Sequence, residues 1–438
     1  MKIHIKTFGC TANRADSHRI MQLLASEGHV FIDNPDLADL VVVNTCTVTQ
    51  TTQQKVLKYI NSVSDLGKDI VVAGCLPAAQ PDILDDIGCP SVTPASLDDI
   101  TDIVGSNIVD SNIIGSNIVD SNGITAPALY NVPILEGVTG IVSISQGCAG
   151  QCSYCIVKQA RGKLVSRPVP DIVDEIRLLV RHGAREIQLT SQDTSAYGRD
   201  MGVRLPELLR AVTAVEGDYM IRIGMMNPFT VIDIIDDIIE SFKDSHIFKF
   251  LHIPIQSGSD KVLQHMNRKH TSEDFKYIVD TFRNNFPGMV ISTDFIVGYP
   301  TETEQDFIDT LELLKEIRPQ KVNITRYSPR PNTPSSQLRD LPSWKKKERS
   351  RRLTEVHHTV NRELLRKRIG DTTHLLTTEV GKDNSTVGRD IYYNNIVVKE
   401  DLPLGNWYDV KITGSTITYL IGETRKHPTG AFLPGKTI

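Results

Sequence analysis

The 438-residue sequence predicts an α/β protein with three parts: a doubly wound α/β domain, a partial barrel of six βα units and a small C-terminal β-barrel. Two observations predict this fold class. Short runs rich in Val and Ile alternate with amphipathic stretches through the N-terminal and middle regions, as buried parallel strands alternate with covering helices. Further along, the runs are shorter and separated by turn residues, which is typical of a small β-barrel.

The N-terminal region contains three strand candidates, KIHIKTF, ADLVVVN and KDIVVAG, each followed by a helical stretch. This alternation predicts a doubly wound sheet over residues 1–125. Within it, GSNIVDSNII at 105–114 is nearly repeated as GSNIVDSNGI at 115–124. A short repeat that occurs only twice is too small for a solenoid, and we interpret it as a loop insertion or linker.

The middle region, residues 134–368, contains six further strand candidates separated by longer helical stretches. They are TGIVSIS, REIQLT, YMIRIGM, FKFLHIPI, MVISTDFIV and KVNITRY. Six βα units predict a partial barrel, since eight units close the usual one. Residues 370–438 contain the short β-rich runs and predict the small C-terminal barrel.

The charge distribution is more informative than the formal net charge of −5. Residues 339–368 carry 11 basic and 4 acidic side chains, so an anionic partner would meet this segment first. A solvated, basic helix face is the alternative. There is no apolar signal core and no run long enough to span a bilayer. We therefore expect a cytoplasmic protein without a membrane partner, whose cysteines are reduced thiols or metal ligands.

Three N-terminal cysteines each follow a predicted strand. Cys10 ends IHIKTFGC, Cys46 ends LVVVNTC and Cys75 ends DIVVAGC. A parallel sheet brings the carboxyl ends of its strands to one edge, so this shared position favours a metal site. Three unrelated buried thiols are the alternative. Cys89 follows a helical stretch instead, and we interpret it as structural.

A second triad follows the first strand of the predicted barrel. Cys148, Cys152 and Cys155 have the spacing C-x3-C-x2-C in SQGCAGQCSYC. Soft thiolates suit iron–sulfur clusters and zinc. Three thiolates would hold three irons of a cubane and leave the fourth open to a small molecule. The alternative is a zinc site completed by a distant ligand such as His182 or His252.

These motifs, in this order, resemble the radical S-adenosylmethionine (SAM) methylthiotransferases over nearly the whole chain. TFGCTANRADS, VVNTCTV and VVAGCLP match the family's three N-terminal cysteine sites, and SQGCAGQCSYC matches its radical SAM site. The family pattern assigns residues 1–125 to the N-terminal domain of the auxiliary cluster, 134–368 to the radical SAM domain with its basic helical segment, and 370–438 to an OB-like TRAM module.

The motifs CSYCIVKQARGKLVSRP, LTSQDTSAYG and YSPRPNT are most similar to the archaeal and eukaryotic branch of the family. That branch modifies N6-threonylcarbamoyladenosine (t6A) at position 37 of tRNA. Asn332 stands where RPGT would have Gly, and Asn also tolerates the left-handed conformation. Sibling branches modify isopentenyladenosine-37 in tRNA or an aspartate of a ribosomal protein, and both remain alternatives. So does a non-catalytic, zinc-stabilised RNA-binding protein.

The resemblance implies two [4Fe-4S] clusters, one held by Cys148, Cys152 and Cys155 and the other by Cys10, Cys46 and Cys75. SAM would serve both as the source of a 5′-deoxyadenosyl radical and as methyl donor. The radical would remove hydrogen from carbon 2 of the adenine, which then receives the methylthio group and becomes ms2t6A. The implied partners are the anticodon loop of tRNA at A37, an electron donor and a sulfur donor, both of unknown identity.

Polar groups and turn residues recur at the ends of the predicted barrel strands, where they are expected to contact SAM or alternatively to serve as caps and turns. They are Gln192, Asp193, Gln256, Ser257, Asp294, Gly298 and Pro300. In the basic segment, six side chains are expected to contact tRNA phosphates without reading sequence. They are Lys345, Lys346, Lys347, Arg349, Arg351 and Arg352. Lys158 and Arg161 are expected to contact SAM or a tRNA phosphate, and the alternative is that they form only salt bridges.

Overall fold

The N-terminal region forms a five-stranded parallel sheet in a computed structural model that describes residues 1–85, 87–109 and 133–428. Its strands are β1 (Lys2–Thr7), β2 (Val30–Phe31), β3 (Leu40–Thr45), β4 (Asp69–Gly74) and β5 (Ser91–Val92). They lie in the order β2-β1-β3-β4-β5. The helices are α1 (Thr11–Ser26), α2 (Gln50–Ser64), α3 (Cys75–Ala79), α4 (Asp82–Asp85) and α5 (Ile100–Val109).

Both faces of this sheet are covered, which confirms the predicted doubly wound arrangement. Val42 packs with α1 and α5 on one face, whereas its neighbours Val41 and Val43 pack with α2 on the other. Successive side chains of a strand point to opposite faces, so an uninterrupted apolar run such as LVVV suits a sheet buried on both sides. Helix α5 includes residues 105–109 of the predicted linker, so those residues are helical; the rest of the repeat lies outside the described residues.

Six parallel strands form the partial barrel that the sequence predicts. They are β6 (Thr139–Ser143), β9 (Glu186–Thr190), β10 (Met220–Ile223), β11 (Phe250–His252), β12 (Val290–Val297) and β13 (Lys321–Arg326), with the short strands β7 (Ser145–Gln146) and β8 (Val165–Ser166) in the first connection. The sheets β6-β9-β10 and β11-β12-β13 are joined by a parallel bridge between Ile221 and Ile247.

Helices cover the outside of this half-barrel, and polar caps start several of them. They are α6 (Val157–Arg161), α7 (Val169–Arg181), α8 (Leu205–Thr213), α9 (Pro228–Ile232), α10 (Ile235–Phe242), α11 (Asp260–His265), α12 (Ser272–Asn285), α13 (Glu304–Ile317) and α14 (Ser343–Arg366). Thr271 with Asp274 and Thr303 with Asp306 form capping boxes at α12 and α13, which satisfy first-turn backbone donors. No helix in the described ranges is both long and apolar enough to cross a bilayer.

The C-terminal region closes into a five-stranded barrel, as predicted. Its strands are β14 (Thr372–Val380), β15 (Thr386–Arg389), β16 (Asn395–Val398), β17 (Trp407–Ser415) and β18 (Leu420–Pro428). Residues 416–419 form a turn between the last two strands, and β18 begins at Leu420. The turn is held by Thr416, whose hydroxyl accepts from the backbone N–H groups of Thr418 and Tyr419.

A loop of the C-terminal barrel seals the amino-terminal end of the half-barrel. Tyr393 donates a 2.6 Å hydrogen bond from its hydroxyl to the buried carboxylate of Glu186 at the start of β9. The Lys321 ammonium, at the start of β13, lies 4.8 Å from the centre of the Tyr393 ring. It also donates a hydrogen bond to the backbone carbonyl oxygen of Tyr393. The carboxyl ends of the barrel strands are thus left as the edge where a ligand can enter.

We expect Tyr393→Phe to lower the free energy of unfolding of the full chain by about 1–3 kcal/mol, because it removes a donor from a buried carboxylate. Tyr277→Phe is the matched control, since Tyr277 is 55% exposed on α12. The measurement is chemical denaturation followed by tyrosine fluorescence and circular dichroism. Equal midpoints for the two variants would contradict the sealing role of the Tyr393 hydroxyl.

Candidate metal centres

The first cysteine triad lies at the carboxyl edge of the N-terminal sheet. Cys10 precedes helix α1 after β1, Cys46 directly follows β3, and Cys75 directly follows β4 as the first residue of α3. Strands β1, β3 and β4 are neighbours in the sheet, so the three cysteines share one stretch of its edge. Cys46 and Cys75 are buried, while Cys10 is exposed.

An asparagine pair and a glycine shape the backbone around this triad. The Asn13 amide donates to the Thr45 carbonyl at 2.9 Å and lies 4.0 Å from the Cys75 sulfur. Asn44 donates back to the Asn13 carbonyl at 2.7 Å. Gly74, with φ of +94°, has no room for a Cβ, which would collide with the Asn44 side chain. The turn that presents Cys75 therefore requires glycine.

The second triad lies in the loop between β7 and α6. The Gly150 amide donates to the Cys148 sulfur at 3.2 Å, and a Cβ at Gly150 would come within 3.3 Å of that sulfur. Arg268, from the segment after α11, lies with its guanidinium 3.5 Å from the Cys152 sulfur. A cavity of about 430 Å³ opens beside all three thiols, a volume that suits a small-molecule ligand.

Burial disfavours free thiolates in both triads. It raises the pKa of Cys46 to about 11 and that of Cys155 to about 12, and it also raises the pKa values of Cys75 and Cys148. Iron binding requires the thiolate and releases its proton. Since the folded-state pKa values lie above the pH of the cell, cluster loading is expected to become more favourable as pH rises.

Helix packing joins the two triads. Cys75 and Ala79 of α3 share one apolar cluster with Ile156 and Ala160 around α6. Beside this contact, the Arg161 guanidinium donates a 2.6 Å hydrogen bond to the Asp16 carboxylate on α1. Both side chains are more than nine-tenths buried. Burial disfavours the charge on Arg161, yet the nearby Asp16 carboxylate keeps the pKa of the Arg161 guanidinium above its ordinary value. Of the roles left open for Arg161, the salt bridge is the one observed.

A second bridge comes from the segment YSPRPNT. The Arg330 guanidinium donates to the Thr47 hydroxyl at 2.8 Å and to the Gln53 amide oxygen, and Thr47 directly follows Cys46. Gln159 on α6 donates to the Asn332 carbonyl at 2.9 Å. Asn332 has φ of +57°, so it adopts the left-handed conformation expected of it.

The residues present fit iron–sulfur clusters and a polar cofactor. In the described residues, no three His, Cys, Asp or Glu side chains converge to share one metal ion. A cubane makes a different demand, because each thiolate binds its own iron. After β9, three side-chain oxygens are buried without a hydrogen-bond partner in the described part of the chain: Ser191 Oγ, Gln192 Oε1 and Thr194 Oγ1. Buried polar groups ordinarily have partners, so this strand end is ready for a polar ligand.

Two of the expected SAM contacts are occupied by protein partners. The Asp193 carboxylate accepts hydrogen bonds from Ser195, from Thr230 and from the Asn227 backbone. The Ser257 hydroxyl lies 3.4 Å from that of Thr310 and accepts from the Ser259 amide. Both side chains therefore have hydrogen-bond partners within the protein, and SAM contact stays a prediction for them as well.

The other expected SAM contacts have mixed surroundings. Asp294 is held by His252 at 3.2 Å and Asn323 at 2.6 Å, so its pKa lies below the ordinary value even though burial opposes the charge. Gln256 has φ of +79° and pairs through its backbone with β12. Gly298, with φ of +75°, lies directly over the Lys346 side chain, and Pro300 is partly exposed. SAM contact remains a prediction for these residues and for Gln192.

Two of the predicted phosphate contacts in the basic segment are wrong. Arg349 is fully buried and donates to the Glu302 carboxylate at 2.7 Å, and Lys346 is buried with its ammonium 2.7 Å from Asp340. These two side chains support helix α14 and are not open to phosphate. Arg352 is partly exposed but pairs with Glu304 at 2.7 Å. Sequence charge did not distinguish the inward face of α14 from the outward one.

Several residues of the site were not identified from the sequence. Asp16 had a usable signal, because it lies six residues after Cys10 within TFGCTANRADS, on the helix that Cys10 precedes. Asn13 lies in the same motif. Arg268 had no signal of this kind, since only the fold brings it to a cysteine. Thr47 is adjacent to Cys46 in the sequence, but only the fold supplies its partner Arg330.

Family models and similar proteins agree with this architecture. Residues 142–314 match the Radical SAM superfamily, and residues 2–89 match the uncharacterized protein family UPF0004. A probable threonylcarbamoyladenosine tRNA methylthiotransferase from Archaeoglobus fulgidus is 40% identical over 97% of this chain and 98% of its own length. One from Pyrococcus horikoshii is 36% identical over 97% and 99%. The human threonylcarbamoyladenosine tRNA methylthiotransferase is 33% identical over 96% of this chain and 74% of its own length.

Solved structures share the fold at low sequence identity. The radical SAM methyltransferase TsrM from Kitasatospora setae, with cobalamin and a [4Fe-4S] cluster bound, has a TM-score of 0.57 at 14% identity and covers 76% of this chain and 77% of its own. The cobalamin-dependent enzyme OxsB has a TM-score of 0.52 at 13% identity, over 82% and 56%.

A half-barrel of parallel strands with C-x3-C-x2-C after its first strand defines the class: this is a radical SAM enzyme, which uses SAM and an iron–sulfur cluster. The chain belongs to the family of the threonylcarbamoyladenosine tRNA methylthiotransferases, because relatives with that name match it at 33–40% identity along nearly its whole length. It is thus a sulfur-inserting transferase.

We expect Asp16→Asn to lower the free energy of unfolding of the full chain by about 3–5 kcal/mol, because it leaves the Arg161 charge buried and unpaired. Asp174→Asn is the matched control, since the Asp174–Arg177 pair is exposed and is expected to contribute about 0–1 kcal/mol. Chemical denaturation of the apoprotein measures both. Adding Arg161→Met to Asp16→Asn should restore most of the loss. Equal losses of unfolding free energy in the two Asn variants would contradict a stabilising role for the buried Asp16–Arg161 ion pair between the triads.

Proposed function

We propose that this enzyme adds a methylthio group to carbon 2 of t6A at position 37 of tRNA and uses two [4Fe-4S] clusters to do so. The observation that carries the proposal is the pair of cysteine triads at the carboxyl edges of two adjoining sheets, connected by the contact of α3 with α6. A site that inserts sulfur needs one centre that binds SAM and another that carries the sulfur. Relatives named for this substrate, at 33–40% identity, support it.

Each triad has a separate role in the proposal. Cys148, Cys152 and Cys155 hold the cluster that binds SAM, and Cys10, Cys46 and Cys75 hold the cluster that carries sulfur. When bound, the clusters and SAM supply the radical and sulfur chemistry, and the protein binds, orients and excludes water. Arg268 offers positive charge beside the first triad at Cys152, and Arg161 is buried close to the second at Cys75. Both favour the thiolate form that iron requires.

The polar edge of the half-barrel supports a SAM site beside the first triad. Ser191 and Gln192 present buried, unpaired oxygens among the described residues there, and Asp294 is kept ionised by His252 and Asn323. An anionic carboxylate and amide groups can bind ribose hydroxyls or the amino group of SAM. Orientation by such groups, and not acid–base chemistry, is the role we assign to this edge.

The proposed RNA substrate presents its base in an anticodon loop, where an unpaired base can be turned into a pocket at low cost. Among the cations predicted to contact its phosphates, Lys345, Lys347 and Arg351 keep some exposure on α14. The reaction further requires an electron donor and a sulfur donor, which are separate partners.

A matched pair of cysteine variants tests the division of roles. Cys148→Ala should abolish formation of 5′-deoxyadenosine from SAM, because the SAM-binding cluster loses a ligand. Cys46→Ala should retain 5′-deoxyadenosine formation but lose methylthio product and about half of the bound iron. Cys89→Ala is the control, since that thiol packs beside an apolar cluster. Anaerobic reconstitution, iron analysis and product chromatography give the readouts. Normal methylthio product from Cys46→Ala would remove the second cluster from the proposal.

Nucleoside mass spectrometry tests the substrate. In a strain that lacks this gene, tRNA should retain t6A and lose ms2t6A, and the wild-type gene should restore ms2t6A while the Cys148→Ala gene should not. Loss of methylthiolated isopentenyladenosine instead, or of a methylthio group on a ribosomal protein, would assign the enzyme to a sibling substrate. Unchanged ms2t6A with colourless, zinc-containing protein would contradict enzymatic methylthiolation altogether.

A further inference from the structure

A single charged side chain lines the cavity beside Cys148, Cys152 and Cys155. That side chain is Lys158, three residues after Cys155 on α6. The rest of the described lining consists of thiols, amides, one hydroxyl and apolar groups, and it includes no carboxylate. Lys158 is partly buried, and its ammonium makes no ion pair with a described residue. The cavity therefore presents one positive charge that has no counter-charge in its described walls.

Helix α6 is held from two sides, which fixes where Lys158 emerges. Ile156 and Ala160 pack against α3 in the apolar cluster that joins the two triads. Gln159 donates a 2.9 Å hydrogen bond to the Asn332 carbonyl. Residues two apart lie about 200° from each other around a helix, so Lys158 is on the opposite side from the α3 contact. The backbone that carries Lys158 is thus fixed on the element between the two triads.

The charge of the ligands expected at this site separates them into two kinds. SAM carries an ammonium and a sulfonium as well as its carboxylate, so its own positive charges compensate the carboxylate. In t6A the threonine nitrogen is acylated and cannot be protonated, so the carboxylate of the threonylcarbamoyl group has no internal counter-charge. A partly buried ammonium without a partner is best matched by such an uncompensated anion, because charge-assisted hydrogen bonds are the strong ones.

We propose that Lys158 binds the carboxylate of the threonylcarbamoyl group and thereby determines the specificity of the enzyme for t6A; this inference rests on the proposed function. An isopentenyl group offers no polar atom, so it would leave the Lys158 ammonium partly buried and unpaired. A site that pairs with a polar substituent rejects an analogue that lacks it. Lys158 therefore favours t6A and also disfavours the prenylated base.

The test compares binding of two anticodon stem-loops, one with t6A and one with unmodified adenosine at position 37. Each is titrated into anaerobically reconstituted, full-length enzyme without SAM. We expect wild type to bind the t6A loop about 10- to 100-fold more tightly, the range for a hydrogen bond to a charged group. Lys158→Gln should lose this preference, because the amide has no charge. Lys158→Arg should retain it, since the guanidinium still pairs with a carboxylate.

Two controls accompany these variants. Lys163→Gln is the matched substitution, since Lys163 is exposed and lies outside the described lining of the cavity, and it should keep the wild-type preference. A stem-loop that carries the methyl ester of t6A has the same shape without the negative charge. Wild type should bind this ester no more tightly than the unmodified loop, a result that does not depend on the folding of any variant.

Four results would overturn the assignment of Lys158. They are equal wild-type affinity for t6A and its ester, an intact preference in Lys158→Gln, an equal weakening of both loops, which indicates a phosphate contact, and lost iron or weakened SAM binding in that variant. Methylthiolation of t6A-bearing tRNA by wild type is measured separately by nucleoside mass spectrometry. Its failure would overturn the proposed function, whereas the loop affinities decide on Lys158.

Discussion

The contact of α3 with α6 is the constraint on which the two-centre arrangement depends. Helix α3 begins at Cys75, and α6 begins two residues after Cys155, so their packing fixes one cysteine loop against the other. The buried Asp16–Arg161 pair lies beside this contact. A lone charge in that environment would be costly, and the pair therefore penalises any separation of the N-terminal sheet from the half-barrel.

The remaining elements determine which side of the half-barrel stays open. At its amino-terminal end, Tyr393 and Lys321 fill the mouth with ring, hydroxyl and ammonium contacts. Along its side, α14 is anchored by the fully buried Arg349 against Glu302. With those faces covered, the carboxyl edge carries the cysteine loop and the polar atoms after β9 that have no hydrogen-bond partner among the described residues. A ligand is therefore directed to the carboxyl edge, because the other faces of the half-barrel are covered by protein.

Much of the fold could be predicted because burial on both faces leaves a clear signal in a strand. LVVVNT is buried throughout, and its alternate residues serve two different apolar clusters. The positions of Cys10, Cys46 and Cys75 at one edge followed from the rule that parallel strands end together. By contrast, Lys346 and Arg349 were expected to bind phosphate and are buried, since a run of basic residues does not reveal which of them face inward.

The sequence by itself determined three local features. They are the reactive residues that follow each strand, the spacing of the second cysteine triad, and the left-handed conformation that Asn332 can adopt. These depend on local backbone preferences and on neighbours along the chain. Only the tertiary structure decided the partners of Asp16, Thr47 and Cys152, which come from residues more than a hundred positions away. Such pairings depend on how whole elements pack, and no local pattern records them.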